Sequence, residues 1–466
     1  MPTEAHPRIP DLSSEAIELT RDLIRVNTSN PPGNETAAAI VLRDWLASHG
    51  VDAELCGPAP DRANLVASLN GSESGPSLAL CGHLDVVPAP DGDSTRPDDP
   101  GIWTHPPFAA HVDAAGMLWG RGAVDMKSQV ASRAAAFAAL ANSDLARPST
   151  IRLIAQADEE VNAGDQGMAW IVHHRRDLRT DFAVEEGGGR RITLADGRSV
   201  VFYGVGDKAS IGLRLTAHGR GGHGSVPTRS DNPVPRLGRL LAATDAAVPR
   251  RHLVDAARSM LATLAGHSIG APDELLAQAQ HQAPAIAPWL DAITRATLNP
   301  TMLEASTSIN VVPGDASVVF DCRLLPGQTI EDALAELDHL LAGADTHADT
   351  WSIEPLQATP LGGSQSPHES PLADACRAAL APLDPEAILV PALNPYFTDA
   401  HHLRSEWDTT TYGIWPWRHT AHADYDAGIH AVDERVHVDD ITYATRFHTN
   451  LLADWCVRNS RAQLSS

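Results

Sequence analysis

Five short stretches of this 466-residue chain place ionisable side chains at or just after an apolar, strand-like run. They are LCGHLDVVP with His83 and Asp85, GRGAVDMK with Asp125, ADEEVNAGDQG with Glu159 and Glu160, AVEEGGG with Glu185 and Glu186, and GIHAVDE with His430. Side chains two apart on a strand share a face, so His83 and Asp85 point one way while Leu84 and Val86 point the other. Taken singly, each stretch has an ordinary structural explanation: a hydrogen-bonded polar pair, a solvated acidic loop, a surface histidine. Together they gather several carboxylates and two histidines with few lysines or arginines beside them, a set that is costly to bury without positive charge. A pair of divalent metal ions would satisfy it. Nitrogen and carboxylate donors without cysteine suit catalytic zinc, with cobalt or manganese as substitutes, and one carboxylate can be shared between two ions.

The elements that must position these groups alternate in kind. Ser13 or Ser14 caps a helix whose apolar face includes Ala16, Leu19, Leu23 and Val26, and NTSNPPGN ends it. A second helix, ETAAAIVLRDWLASHG, stops at Gly50, and strand-like runs follow at NLVASL, SLALCGHLDVV, STIRLIAQA and DFAVEE, with an Ala-rich helix from about Lys127 to Asn142 among them. This alternation predicts an α/β layer architecture, with ligands collecting beyond the carboxyl ends of strands. Near residue 205 the pattern changes to strands with a Gly-rich turn (KASIGLRLTAHGRGGHGSVP) and STSINVVPGDASVVFDCRLLP, separated by an Ala/Leu-rich helical region over 234–298. We read 1–204 and 357–466 as one domain and 205–356 as an α+β domain inserted into it.

The formal net charge of −24, from 35 Lys+Arg against 59 Asp+Glu, excludes the clustered basic surface that nucleic acid requires. Five cysteines, Cys56, Cys81, Cys322, Cys376 and Cys456, are odd in number and far apart, which reads as reduced thiols and a cytoplasmic setting. The opening MPTEAHPRIPDLSSE lacks the basic and apolar regions of a secretory leader, and no apolar run is long enough to cross a bilayer.

In order and spacing, GHLDVVP, GRGAVDMK, DEEVNAGDQG, EEGGG, GRGGHGSVP and GIHAVDE resemble the aminoacylase/carboxypeptidase family of di-zinc metallopeptidases, over about residues 12–458. That family includes glutamate carboxypeptidase, succinyl-diaminopimelate desuccinylase and carboxypeptidase S. The resemblance implies a catalytic domain with a mixed sheet sandwiched by helices and an inserted ferredoxin-like dimerisation domain. It also implies two Zn(2+) per subunit, with Asp125 bridging, His83 and Glu186 on one ion, and Glu160 and His430 on the other. Glu186 is preferred over Glu185 by alignment of EGG; on a strand only one of the two faces the metals. Glu159 matches the general base acting on a water between the metals, and Asp85 would steady the His83 ring from behind. The peptide after Asp125 is implied to be cis.

The resemblance further implies a homodimer in which His223 reaches the active site of the partner subunit as an oxyanion donor. Substrates of the family carry a carboxylate beside the scissile amide, for which INVVPGDASVVFDCR offers Asn310 and Arg323. Where the family reads Thr-Asp-x-Arg this chain has TDAHHLR, so His401 stands in the arginine's place and Arg404 lies a helical turn later. Trp103, Trp415 and Trp417 are either acyl-pocket walls or core. The expected activity is hydrolysis of the amide of an N-acyl amino acid or a short peptide. A related carbamate, ureido or ester bond is the alternative within the same chemistry, and a non-catalytic binding protein the alternative outside it.

Overall fold

The computed structural model describes residues 9–72, 75–90, 101–162, 164–344 and 350–461; the first eight residues of the opening segment lie outside it. The chain divides into two compact units, one of Met1–Val205, Ser366–Pro391 and Thr398–Ser466, the other of Gly206–Gln365 and Ala392–Phe397. The second unit is therefore longer than the expected 205–356, and the reason is backbone pairing. Ser210 N donates to Leu361 O at 2.7 Å, Leu361 N returns a bond to Ser210 O at 2.9 Å, and Asp207 N reaches Ser364 O at 2.9 Å. Lys208 N likewise donates to Asn394 O at 3.0 Å, which draws 392–397 into the same unit.

The first unit is built on a nine-stranded mixed sheet. Its centre runs Ile151–Gln156, Leu78–His83, Phe182–Glu185, Thr410–Gly413, each parallel to the next, while Asn64–Leu69 and Ala53–Cys56 continue it antiparallel at one side. Parallel strands buried on both faces need apolar residues throughout, and Leu78–His83 is buried at every position. One face carries Lys127–Ala141, buried from Lys127 to Leu140, with Ser13–Arg25 and Val438–Arg461 packed against it. The alanine run in that helix lets it sit close to the sheet. A Cβ on Gly82 would stand 2.9 Å from Met126 Cε and 3.0 Å from Val130 Cγ2, so glycine there is what the close approach requires. The other face is covered by Gly167–His174 and Ala400–Trp407, whose Met168, Ile171, Val172, Leu403 and Trp407 pack on Val66, Ala79, Cys81 and Ile154. The Asp125–Met126 peptide is cis.

The second unit is α+β. Its four-stranded antiparallel sheet has the order Thr297–Glu304, Asp315–Leu324, Ala209–His218, Trp351–Pro355. With the helices Pro233–Ala246 and Ile330–Leu341 on it, the chain order is strand, helix, strand, strand, helix, strand, the ferredoxin-like arrangement. Asp255–Ala265, Pro272–Gln282 and Ala287–Ala292 are extra helices inserted before its second strand. No helix among the described residues is long and apolar enough to cross a membrane.

A buried histidine makes the first unit's stability depend on pH. His448, on Val438–Arg461, donates from Nδ1 to Ala444 O at 2.8 Å, and its Nε2 has no hydrogen-bond partner among the described residues. Burial, and then the Arg133 guanidinium, depress its pKa to about 3. The unfolded chain, titrating near 6.5, binds the proton that the folded state refuses. Stability contributed by neutral His448 is therefore present above about pH 6.5 and declines as pH falls toward 3, by about 1.4 kcal/mol per unit. Unfolding midpoints of wild type and His448→Leu, measured from pH 4 to 8, should converge as pH falls. Parallel curves would show that His448 does not carry this dependence.

Candidate metal centre

The parallel strands end together, and their carboxyl ends bear the ionisable groups. His83 closes Leu78–His83, opposite Gln156 in the register; Glu186 follows Phe182–Glu185; Glu159 and Glu160 follow the end of Ile151–Gln156. Arg133, rising from the helix beneath, donates Nη1 to Cys81 O at 2.6 Å and Nη2 to Glu185 O at 2.8 Å, which fixes two of these strand ends relative to each other. Gly413 is forced by the same crowding: a Cβ there would lie 1.8 Å from Glu186 O.

Asp125 stands between the two histidines. Its Oδ1 is 3.1 Å from His83 Nε2 and its Oδ2 is 3.3 Å from His430 Nε2. Glu186 Oε2 is 3.9 Å from the same His83 nitrogen, and Glu160 Oε2 is 3.0 Å from the same His430 nitrogen. The Glu159 carboxylate belongs to this cluster, within 4.8 Å of ligand atoms of both His83 and Glu186. Glu185 is turned away: it is fully buried, and its Oε1 accepts from Gln156 Nε2 at 2.7 Å.

Two observations test whether a cation fits. Glu160 Oε1 is buried and has no hydrogen-bond partner among the described residues. Among the described residues no lysine or arginine forms an ion pair with Asp125, Glu159, Glu160 or Glu186. Burial first, and then the neighbouring carboxylates, push the acids upward: Glu159 beside Glu186, Glu160 beside Asp125, Glu186 beside Asp125. Burial also raises Asp125, but the imidazoles of His430 and His83 outweigh it and hold that carboxyl below its ordinary range. The Asp125 and Glu160 carboxylates in turn push His430 up to about 10. A site that raises three glutamates and its histidines together lacks positive charge, and an all-nitrogen-and-oxygen donor set is the kind that holds zinc or a similar divalent ion.

Asp85 does more than the sequence suggested. The ring it was expected to steady has its Nδ1 3.0 Å from the Asp85 backbone carbonyl and 3.5 Å from carboxylate Oδ1. The carboxylate also accepts the backbone N–H groups of Glu159 and Glu160, each at 3.1 Å, and Asn30 Nδ2 at 2.9 Å. Asn30 also donates to Asp158 Oδ1 at 2.8 Å, and Arg62 joins Asp158 at 2.8 Å to the buried Glu35 at 2.6 Å. Asn30, Glu35, Arg62 and Asp158 escaped the sequence reading because nothing local in NTSNPPGN or in the Asp before the two glutamates indicates a long-range partner.

The remaining expected residues are dispersed. Arg404 is buried, donating from Nη2 to Thr411 O at 2.9 Å and from Nε to Ser366 Oγ at 3.3 Å, so it joins a helix to the sheet rather than presenting a free fork to substrate. His401 lies 3.2 Å by Nδ1 from Ser405 Oγ, whereas its neighbour His402 approaches the acidic loop, with Nε2 3.4 Å from Asn162 Oδ1. Burial, and then His401, lower His402 to about 4, which keeps it neutral. Trp415 and Trp417 are core residues, while Trp103 has the Arg121 guanidinium 5.2 Å from its ring centroid.

In the second unit, His223 and Asn310 come together on a two-stranded ribbon, Gly222–His223 with Val311–Val312, where Gly224 N donates to Asn310 O at 2.8 Å. His223 is exposed, with Nδ1 2.8 Å from Ser225 Oγ. Arg323 is near the far end of Asp315–Leu324, about 25 Å along the strand by its rise per residue, and pairs with Asp321 at 2.8 Å. One copy of the unit does not bring Arg323 to Asn310.

The chain is similar to known proteins in sequence and in fold. The chain matches peptidase family M20/M25/M40 over residues 79–454. It is 34% identical over 245 residues to a succinyl-diaminopimelate desuccinylase of Methylocella silvestris, covering 51% of this chain and 58% of the relative, so that match spans little more than half the relative's length. The protein of the same name in Methylorubrum extorquens strain PA1 is 29% identical over 451 residues, 94% of this chain and 97% of its own. The crystal structure of an M20 family metallo-carboxypeptidase from Sulfolobus solfataricus has a TM-score of 0.70 at 18% identity, covering 95% of this chain and 99% of that one, a likeness of fold. The family match covers most of the chain and includes every strand end described above. The chain belongs to peptidase family M20/M25/M40.

Proposed function

We propose that this chain is a dinuclear metal-dependent amidohydrolase acting on an N-acyl amino acid or a short peptide with a free carboxylate. The observation that carries the reading is the Asp125 carboxylate, one oxygen against His83 and the other against His430, with a further glutamate beside each histidine. His83, Glu186 and Asp125 would hold one ion, and His430, Glu160 and Asp125 the other, zinc being the best match to the donors. Bound there, the pair supplies a water of lowered pKa and a Lewis acid for the amide carbonyl.

The chain's own groups divide the rest of the work. Glu159, half-buried with its pKa already pushed upward, is suited to take the water's proton and deliver it to the leaving nitrogen. Asp85 keeps Glu159 and Glu160 in place through their backbone amides. His223, exposed on its ribbon, would stabilise the oxyanion of the tetrahedral adduct in the active site of a second copy, which makes the enzyme a homodimer. Asn310 on the same ribbon is placed to donate an amide hydrogen bond to the substrate. Five free thiols, four of them buried, suit a reducing, cytoplasmic setting. The names of the desuccinylase relatives support an acyl group attached to an amino-acid nitrogen.

Three substitutions test this assignment. Glu159→Gln should keep two metal ions per chain by elemental analysis and lower kcat about 10²–10⁴-fold on whichever N-acyl amino acid or dipeptide the wild type cleaves. Unimpaired turnover would remove Glu159 from its role, and a zinc-loaded wild type that cleaves no member of such a panel would defeat the amidase reading. His223→Ala should leave metal content and dimer mass unchanged while kcat drops about 10²–10³-fold; turnover equal to wild type would end the proposal for that residue. Asp85→Ala should weaken metal binding about 10–100-fold in competition with a chelator, and wild-type affinity would show that its carboxylate does not organise the ligands.

A further inference from the structure

The loop that carries Asp125 is closed by a residue from the other end of the chain. Glu434 is fully buried, and both its carboxylate oxygens are filled by that loop. Oε1 accepts the backbone N–H groups of Val124 at 2.7 Å and Asp125 at 3.0 Å, and Oε2 accepts Gly122 N–H at 3.0 Å and Arg121 Nη1 at 2.7 Å. Its backbone carbonyl accepts from Gly120 N–H at 2.9 Å. Glu434 stands four residues after His430, so one short segment supplies a histidine to one side of Asp125 and an anchor to Asp125's own amide.

The sites on either side of Asp125 do not depend equally on that anchor. His83 and Glu186 sit at the ends of paired strands that Arg133 ties together. His430 comes from a turn after the short helix His422–Gly428; its side chain is 53% exposed and its backbone has a φ of 59°. A non-glycine residue in that conformation persists only where its surroundings hold it. The group that ties this turn to the Asp125 loop is Glu434.

We propose that Glu434 is a positioning residue that sets the approach of His430 to Asp125, and that it governs the ion on the His430–Glu160 side far more than the ion on the His83–Glu186 side. The proposal rests on the ligand assignment above. Glu434→Gln keeps the shape but turns one acceptor into a donor facing Gly122 N–H and Arg121. Glu434→Asp keeps the charge and shortens the reach.

The metal-free protein and its variants are titrated with Co(II) against a chromophoric chelator, which gives two stepwise dissociation constants, and kcat and KM are measured at increasing metal. In Glu434→Gln one of the two constants should rise about 10–100-fold while the other stays within about threefold. Its kcat should fall at limiting metal and recover in excess metal, with KM unchanged; Glu434→Asp should lie between it and wild type. Two constants within about threefold of wild type, or both weakened alike together with a lowered melting temperature of the metal-free protein, would overturn the proposal. If Glu434→Gln does not fold, Glu434→Asp is read by the same criteria. A wild type that fails to bind two ions would instead defeat the ligand assignment, so the two failures are distinct.

Discussion

The first unit is arranged around one electrostatic constraint, the gathering of Asp125, Glu159, Glu160 and Glu186 at the carboxyl ends of its parallel strands and the turn before Lys127–Ala141, with no arginine or lysine among the described residues paired to them. Burial raises Glu159, Glu160 and Glu186, with Glu186 adding to the first and Asp125 to the other two, while among the described residues the cations in direct contact with Asp125 are the two histidines beside it. Such a cluster is unfavourable in the bare protein, and an unpartnered oxygen such as Glu160 Oε1 is its visible residue. The fold therefore invests elsewhere in holding it together. Arg133 is placed one layer down, against carbonyls, where it ties strand ends without occupying the ligands.

Two further buried carboxylates complete that support in the same way. Asp85 collects the amides of Glu159 and Glu160, and Glu434 collects those of Val124 and Asp125. Several N–H donors converging on an ionised carboxylate make strong, directional bonds, and they fix the backbone rather than the side chain that must bind. The carboxylates proposed as ligands are left with their oxygens turned to the cluster. This separation of anchoring from binding explains why a buried acid recurs close in sequence to each candidate ligand: Asp85 two residues from His83, Glu185 next to Glu186, Glu434 four residues from His430.

The second unit owes little to that constraint. Its core is a plain apolar face, Ile211, Leu213, Leu215, Val318, Phe320 and Leu337 among others, with two helices on one antiparallel sheet. What it contributes is a ribbon where His223 and Asn310 stand side by side, and a distant Arg323 on the same framework.

The sequence by itself determined the ligand types, the strand ends that carry them and the α/β character of the first unit, because alternation and turn chemistry are local. It also gave the α+β character of the insert. His83, Asp125, Glu160, Glu186 and His430 were legible as candidates because clustered histidines and carboxylates suit a metal, and the family resemblance selected them from their neighbours. The tertiary structure alone decided which oxygen faces which nitrogen, that Glu185 turns toward Gln156, that Arg404 is committed to Thr411 and that His402 approaches Asn162. It alone revealed Asn30, Arg62, Glu35 and Glu434 as supports, since their partners lie tens to hundreds of residues away. The physical reason is the same throughout. A ligand is defined by its own chemistry, whereas a support is defined by the neighbour it meets, and that neighbour exists only once the chain has folded.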